Sequence, residues 1–230
     1  MITRRVNPLG DSALLIELGA TDNEPLTPII HSFCEAIAAQ QWLFVHDVMP
    51  AFTSICVHYC PVALQASDWD FVEWLQTLEQ LPLASFAPPF TTTHTIPVCY
   101  DEECALDLND VATACGLSKD AVIELHLGAE YTVAMLGYAP GFPYLHGVLD
   151  GIRVGRRAQA RAQVPQGSVA LAENICGIYP QKLPGAWQVI GRTPLQLFDA
   201  LREQPSLLQP SDKVRFERID RAAFEGFNAC

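Results

Sequence analysis

The sequence predicts an α+β protein built as a small N-terminal α/β sandwich followed by a β-barrel, on three observations. A proline-rich stretch without periodicity, LPLASFAPPFTTT from Leu81 to Thr93, interrupts the chain. Before it, segments of strand period alternate with segments of helix period. After Tyr131 the pattern changes to short apolar runs broken by Gly and Pro, which is the rhythm of a barrel or sandwich. These breaks place an N-terminal domain at residues 1–81, a linker at 82–93 and a barrel domain at 94–230.

Within the first part, Ala13–Leu18 reads as a strand. Thr27 is the expected N-cap of a helix that runs through Gln40, with Pro28 in its first turn and Ile29, Phe33 and Ile37 on one face. Strands are expected at Phe44–Met49 and Thr53–Tyr59, the second with Thr53, Ile55, Val57 and Tyr59 alternating against Ser54, Cys56 and His58. A helix over Ser67–Leu78 completes this part, with both helices on one face of the sheet. Beyond the linker, His94–Tyr100 reads as a strand. Short helices follow at Asp107–Ala114 and Ser118–Leu127, separated by Gly116 and with Ser118 capping the second. Strand runs then recur as YTVAML, VAL near Val169, WQVIG from Trp187 and KVRF from Lys213.

Charge is segregated. The formal net charge is -12, and no Lys or Arg occurs from Val6 to Ser118. Between Tyr131 and Phe198, however, six basic residues (Arg153, Arg156, Arg157, Arg161, Lys182, Arg192) face only Asp150 and Glu173, a local balance of +4. Such segregation suits a local anion site and argues against nucleic acid as a partner, because nucleic-acid affinity comes chiefly from phosphate neutralisation. No apolar run approaches a membrane span, and MITRRV followed by Asn7, Pro8 and Gly10 does not read as a secretory signal. The eight cysteines form no CxxC pair, which suggests a reduced, cytoplasmic protein. Cys56, His58 and Cys60 would share a strand face, but a second metal half-site is missing, so no metal is expected.

Four segments carry the candidate chemistry. In Gly137–Gly147, GYAPGFPYLHG, two prolines and three glycines, among them the binding candidate Gly141, fix a rigid turn while Tyr138, Phe142 and Tyr144 supply flat walls. These aromatics either line a ligand pocket or plug a barrel corner. His146 is an acid or base candidate there, or a solvated loop histidine. Arg156, Arg157 and Arg161 follow Gly155 and either present guanidinium forks to phosphate or carboxylate or form a solvent-facing charged loop; so little acid is nearby to pair with them that the first reading is favoured. Next, the PQGS turn at Pro165–Ser168, which contains Gln166, offers backbone N–H groups and the Ser168 hydroxyl to an oxyanion. Glu173 and Lys182 are the catalytic candidates, Glu173 as general base or cation ligand, with a structural salt bridge from Glu173 to Lys182 or to an arginine as the alternative. Finally, PGAWQVIGRTPLQLFD contributes Arg192 as an anion ligand and Trp187 as core or platform. No GxxxxGK[ST], HExxH or GxSxG occurs, so a self-sufficient nucleotide or serine hydrolase is unsupported.

Taken in order, PGFPYL, RRA, VPxGSV, GIYP, PGxWQxIGRTPLxLFD and LLQPSDKVRF resemble the family of KipI and the 5-oxoprolinase B subunits, also called allophanate hydrolase subunit 1. Weaker matches are GDSALLIE and PAFTSICV. The resemblance implies a C-terminal barrel of the cyclophilin-like kind. It implies ATP as cofactor, with Mg shared with a partner subunit, and it implies A and C subunits as partners in the ATP-dependent opening of 5-oxoproline to glutamate. Inhibition of a sensor histidine kinase, or a subunit role in an allophanate or urea-amide hydrolase or carboxylase, are the alternative activities within that resemblance. The chain departs from the family pattern where GIxGxQTGIYP becomes ALAENICGIYP, where YGGxxGPDL becomes YDEECALDL from Tyr100, and where PGGWQ becomes PGAWQ at Ala186. These changes imply either an altered substrate or a decayed catalytic role.

Overall fold

The computed structural model describes residues 2–20, 26–82 and 91–227. The chain divides into two compact units, Met1–Pro89 and Phe90–Cys230. Most of the stretch read as a linker, residues 83–90, lies outside the described residues.

In the first unit, β1 (Ile2–Pro8), β2 (Ala13–Ala20), β3 (Val45–Pro50) and β4 (Ser54–Tyr59) form an antiparallel sheet of order β1-β2-β4-β3. Leu14, Ile16 and Leu18 alternate onto one face, joined there by Ile55, Val57 and Tyr59, all buried. Against that face pack Ile30, Phe33 and Ile37 of α1 (Leu26–Ala39) and Trp74 and Leu78 of α3 (Phe71–Gln80), in one continuous core. Both helices therefore cover the same face, as expected. Between β4 and α3 lies a short helix, α2 (Pro61–Gln65).

Differences from the expected elements have local causes. Ser67 does not start α3, because its hydroxyl bonds the Leu64 carbonyl and the Trp69 N–H, closing a turn. Asp70 is the N-cap instead, accepting from the Val72 and Glu73 amides. Thr27 lies inside the first turn of α1 and not at its cap. The unexpected strand β1 is tied by Arg4, whose guanidinium donates to the Leu78, Glu79 and Leu81 carbonyls at the C-terminal end of α3. Cys60, the third member of the Cys–His–Cys face, accepts the Ala63 amide as the cap of α2.

The second unit is a closed seven-stranded barrel in the order β10-β7-β6-β13-β5-β12-β9. Its strands are β5 (Thr93–Cys99), β6 (Tyr131–Leu136), β7 (Pro143–His146), β9 (Ser168–Ala172), β10 (Ile175–Ile178), β12 (Gln188–Arg192) and β13 (Lys213–Ile219). All neighbours are antiparallel except β5 and β13, which pair in parallel over seven residues. Closure removes the exposed edges that a short-stranded sheet would otherwise present. Helices α4 (Leu108–Cys115) and α5 (Lys119–Gly128) add Leu108, Val111, Val122 and Ile123 to the barrel core. Gly116, at φ 67°, ends α4 in the left-handed region, and Ser118 caps α5 through the Ala121 amide, both as expected. The short helix α6 (Arg221–Phe227) follows β13. No helix among the described residues is long and apolar enough to cross a membrane.

Barrel alternation creates a second layer, and this layer positions the candidate site. Along β9, Val169 and Leu171 point into the barrel core while Ala170 and Ala172 point outward. Onto that outer face folds a two-stranded ribbon of β8 (Arg161–Val164) and β11 (Leu183–Gly185). The layer between them is a separate cluster of Phe142, Val164, Ala170, Ala172, Tyr179, Trp187 and Val189.

Candidate functional site

The aromatic cluster opens into a cavity of about 160 Å³ lined by Tyr138, Phe142, Tyr144, Arg156, Tyr179 and Trp187 together with the Pro184–Ala186 backbone segment. Phe142 is its hub, with Tyr179 and Trp187 edge-on at 5.2 and 5.6 Å and Tyr144 tilted at 5.1 Å. Such close packing of large rings needs small neighbours. A Cβ on Gly177 of β10 would sit 2.7 Å from Trp187 and 2.8 Å from Phe142, and one on Gly185 would collide with the Tyr179 hydroxyl. The glycines of GIYP and PGAWQ are thus places where backbone meets ring. Tyr138, itself exposed, donates to the Pro184 carbonyl at 2.7 Å and bridges the rim.

Arg156 supplies the only formal charge in the cavity lining among the described residues. It is exposed, stands 6.0 Å from the centre of the Trp187 ring, and has no ion-pair or hydrogen-bond partner among those residues. Burial pushes the Tyr144 phenol up, and it pushes Tyr179 up to about 12, so both are neutral near pH 7. Among the described residues, neither a carboxylate, a histidine nor a lysine lines the cavity. A free guanidinium beside neutral aromatic walls can hold a small carboxylate-bearing molecule, and the lining holds no general base to attack one.

The expectation that the arginines lack acid partners does not hold for two of the three. Asp107, immediately before α4, is fully buried and ion-paired with both Arg157 and Arg161. Arg161 grips it with a fork, Nη1 to Oδ2 and Nη2 to Oδ1 at 2.7 Å each, and the Val189 amide donates to Oδ2 at 2.7 Å. This contact holds the Arg161 guanidinium above its ordinary pKa. The Arg157 backbone N–H also bonds the Ala186 carbonyl, so the residue after Arg156 is tied both to Asp107 and to the cavity-lining Pro184–Ala186 segment. Asp107 went unrecognised because it lies 50 residues upstream of Arg157, and local charge counting carries no information about that distance.

The remaining expected site residues lie elsewhere. Gly141 is buried in the turn before β7 at φ 77°. Arg192 donates from Nε to the Gln166 carbonyl at 2.7 Å and lies over the Phe224 ring at 5.5 Å. Ser168 pairs opposite Arg192 across β9 and β12, and its hydroxyl is buried without a partner among the described residues. Glu173, at φ 54° in the β9–β10 turn, lines a different cavity of about 280 Å³ with Arg153, Gly155 and Asn174. Lys182 is exposed between β10 and β11, and no ion pair joins it to Glu173 among the described residues. His146, half-buried on β7, is held below the ordinary histidine pKa by desolvation. Of the altered family positions, Ile175 packs against the aromatic layer and Cys176 turns into the barrel, where its thiol lies 3.9 Å from His126 Nε2.

The family model described as carboxyltransferase domain, subdomain C and D, matches residues 4–208. The B subunit of 5-oxoprolinase from Bacillus subtilis (strain 168) is 36% identical over 231 residues, covering 97% of this chain and 96% of that protein. The crystal structure of TTHA0988 aligns with a TM-score of 0.77 at 31% identity, over 96% of this chain but 41% of that one. The urea carboxylase of Kluyveromyces lactis aligns with a TM-score of 0.75 over 97% of this chain and 22% of that one, at 18% identity, a likeness of fold alone.

Proposed function

We propose that this chain, which belongs to the carboxyltransferase-domain family of subdomains C and D and shares the family of the 5-oxoprolinase B subunits, is a non-autonomous subunit of an ATP-dependent 5-oxoprolinase. The observation that carries the reading is the small aromatic cavity with one unpaired guanidinium at Arg156. 5-Oxoproline is a flat five-membered lactam bearing one carboxylate. Arg156 takes the carboxylate as a two-pronged charge-assisted pair, and the ring lies among Phe142, Tyr144 and Trp187. The Tyr138 bridge to Pro184 limits water at the rim. Asp107 holds Arg157 and Arg161, so that only Arg156 of the three is left for the substrate.

The cavity does not fit a nucleotide. Its volume of about 160 Å³ is below the roughly 300–1,000 Å³ of sites for larger ligands. The sequence also lacks a phosphate-binding GxxxxGK[ST] loop. ATP and its Mg are therefore assigned to the assembled complex, with A and C subunits as partners, and no step of the phosphoryl chemistry is attributed to residues of this chain. A lining of neutral rings and one guanidinium supports the same division of labour. Reconstitution with A and C subunits tests the reading. The expected result is 5-oxoproline-dependent release of glutamate and phosphate by the complete assembly and none by this chain alone. An assembled complex that turns over no 5-oxoproline refutes it.

A further inference from the structure

We propose that the N-terminal unit carries a second binding site, for a small organic cation of the guanidinium or alkylammonium class. A cleft of about 750 Å³ opens there, within the roughly 300–1,000 Å³ typical of small-molecule sites. Three of its walls are aromatic: Tyr59 at the end of β4, and Trp69 and Phe71 on either side of Asp70, the N-cap of α3. These rings are backed from behind. Trp69 rests edge-on against Trp42 at 5.7 Å, while Tyr59 and Phe71 pack on the buried Trp74 at 5.0 and 6.3 Å. Trp69 and Phe71 nonetheless stay half-exposed, presenting ring surface that the core does not use.

Three carboxylates, Asp11, Asp68 and Asp70, complete the lining. Asp70 is engaged by the α3 amides, but Asp11 and Asp68 are exposed and have no ion-pair partner among the described residues. No Lys or Arg lines the cleft among the described residues, and none occurs from Val6 to Ser118. Of the two arginines on β1, Arg4 is bound to three carbonyls at the end of α3, and Arg5 is exposed and lines a different cavity. Aromatic faces beside uncompensated carboxylates attract a cation with an apolar body, through the ring quadrupole and through charge. An anion is repelled there, and a neutral apolar guest desolvates the carboxylates without return. Burial, with the nearby charge of Asp11, pushes the Tyr59 phenol up, so that wall stays neutral. The site is opposite in sign to the Arg156 cavity and does not rest on the oxoprolinase reading.

The test is a titration of the full chain with n-butylguanidinium, using uncharged n-butylurea as its near-isosteric control, followed by tryptophan fluorescence and calorimetry. Saturable binding of the guanidinium roughly tenfold tighter than the urea is expected. The double change Asp11→Asn with Asp68→Asn is expected to weaken it about fivefold, and Trp69→Leu to abolish it. Because the two aspartates are exposed, their variant decides the matter if Trp69→Leu does not fold. Equal binding of the two probes, binding untouched by the asparagine changes, or no saturable binding of the guanidinium would each overturn the proposal. A lysine- and arginine-rich peptide that binds where n-butylguanidinium does not would also overturn it, by making the cleft a protein-docking surface.

Discussion

Arg156 and Arg157 are neighbours in sequence but not in chemical freedom. Arg157 is committed to a fully buried carboxylate, while Arg156 faces the aromatic cavity with its donors unspent. Replacing one partner of a buried ion pair costs about 3–5 kcal/mol, because the other charge is left uncompensated. Asp107→Asn is therefore expected to lower unfolding stability by that order, measured by urea denaturation, whereas Arg156→Ala shifts it by less than about 0.5 kcal/mol as a surface change. An Arg156→Ala variant as unstable as Asp107→Asn would mean that both arginines are structural. The sequence made the basic cluster visible but could not sort its members. That sorting depends on Asp107, which tertiary folding brings in from the start of α4.

Among the elements, β9 and β10 show how far pattern reading reaches. The apolar run around Val169 marked a strand, and alternation decides that its odd-numbered residues fill the barrel while its even-numbered ones face the aromatic layer. The ribbon of β8 and β11 that covers this layer was not legible, since strands of four and three residues carry too little periodicity. Gly177 on β10 is the tightest point of contact between strand and rings. Gly177→Ala is expected to cost about 1–3 kcal/mol through overpacking and to reduce occupancy of the cavity, measurable as a lower thermal midpoint with weakened ligand binding. A second element-scale effect comes from α5. His126 is fully buried, hydrogen-bonded to the Tyr100 hydroxyl at 2.8 Å, and desolvation lowers its pKa from 6.5 to about 3. The unfolded chain takes up this proton below about pH 6.5 and the folded chain only near pH 3, so stability is lost as pH falls through that window. At pH 5 the loss attributable to His126 is about 2 kcal/mol. Urea midpoints at pH 7 and pH 5 should therefore differ more in the wild type than in His126→Gln. An equal difference in both proteins would remove His126 as the cause.

Across the whole molecule, the change of rhythm from helix-and-strand to short barrel strands was readable because it depends on local turn chemistry and period. Barrel closure and the parallel β5–β13 pairing were not, since closure depends on pairs far apart in the chain, those of β5 with β13 more than 100 positions apart. The same division holds for the candidate site. Phe142, Tyr144 and Arg156 were legible as a loop motif and an arginine pair, and the fold brings them to one cavity with Trp187. Gln166, Ser168 and Arg192 form a separate contact, and Glu173 and Lys182 lie apart from both. The central claim is that Arg156 holds the carboxylate of 5-oxoproline within an assembled oxoprolinase. It is tested most directly by the KM for 5-oxoproline of the reconstituted complex, measured with the wild-type chain and with Arg156→Ala. Loss of a charge-assisted pair worth roughly 1.5–3 kcal/mol is expected to raise KM by about 10- to 150-fold with the complex still assembled. An unchanged KM, or a wild-type complex that releases no glutamate, would contradict it.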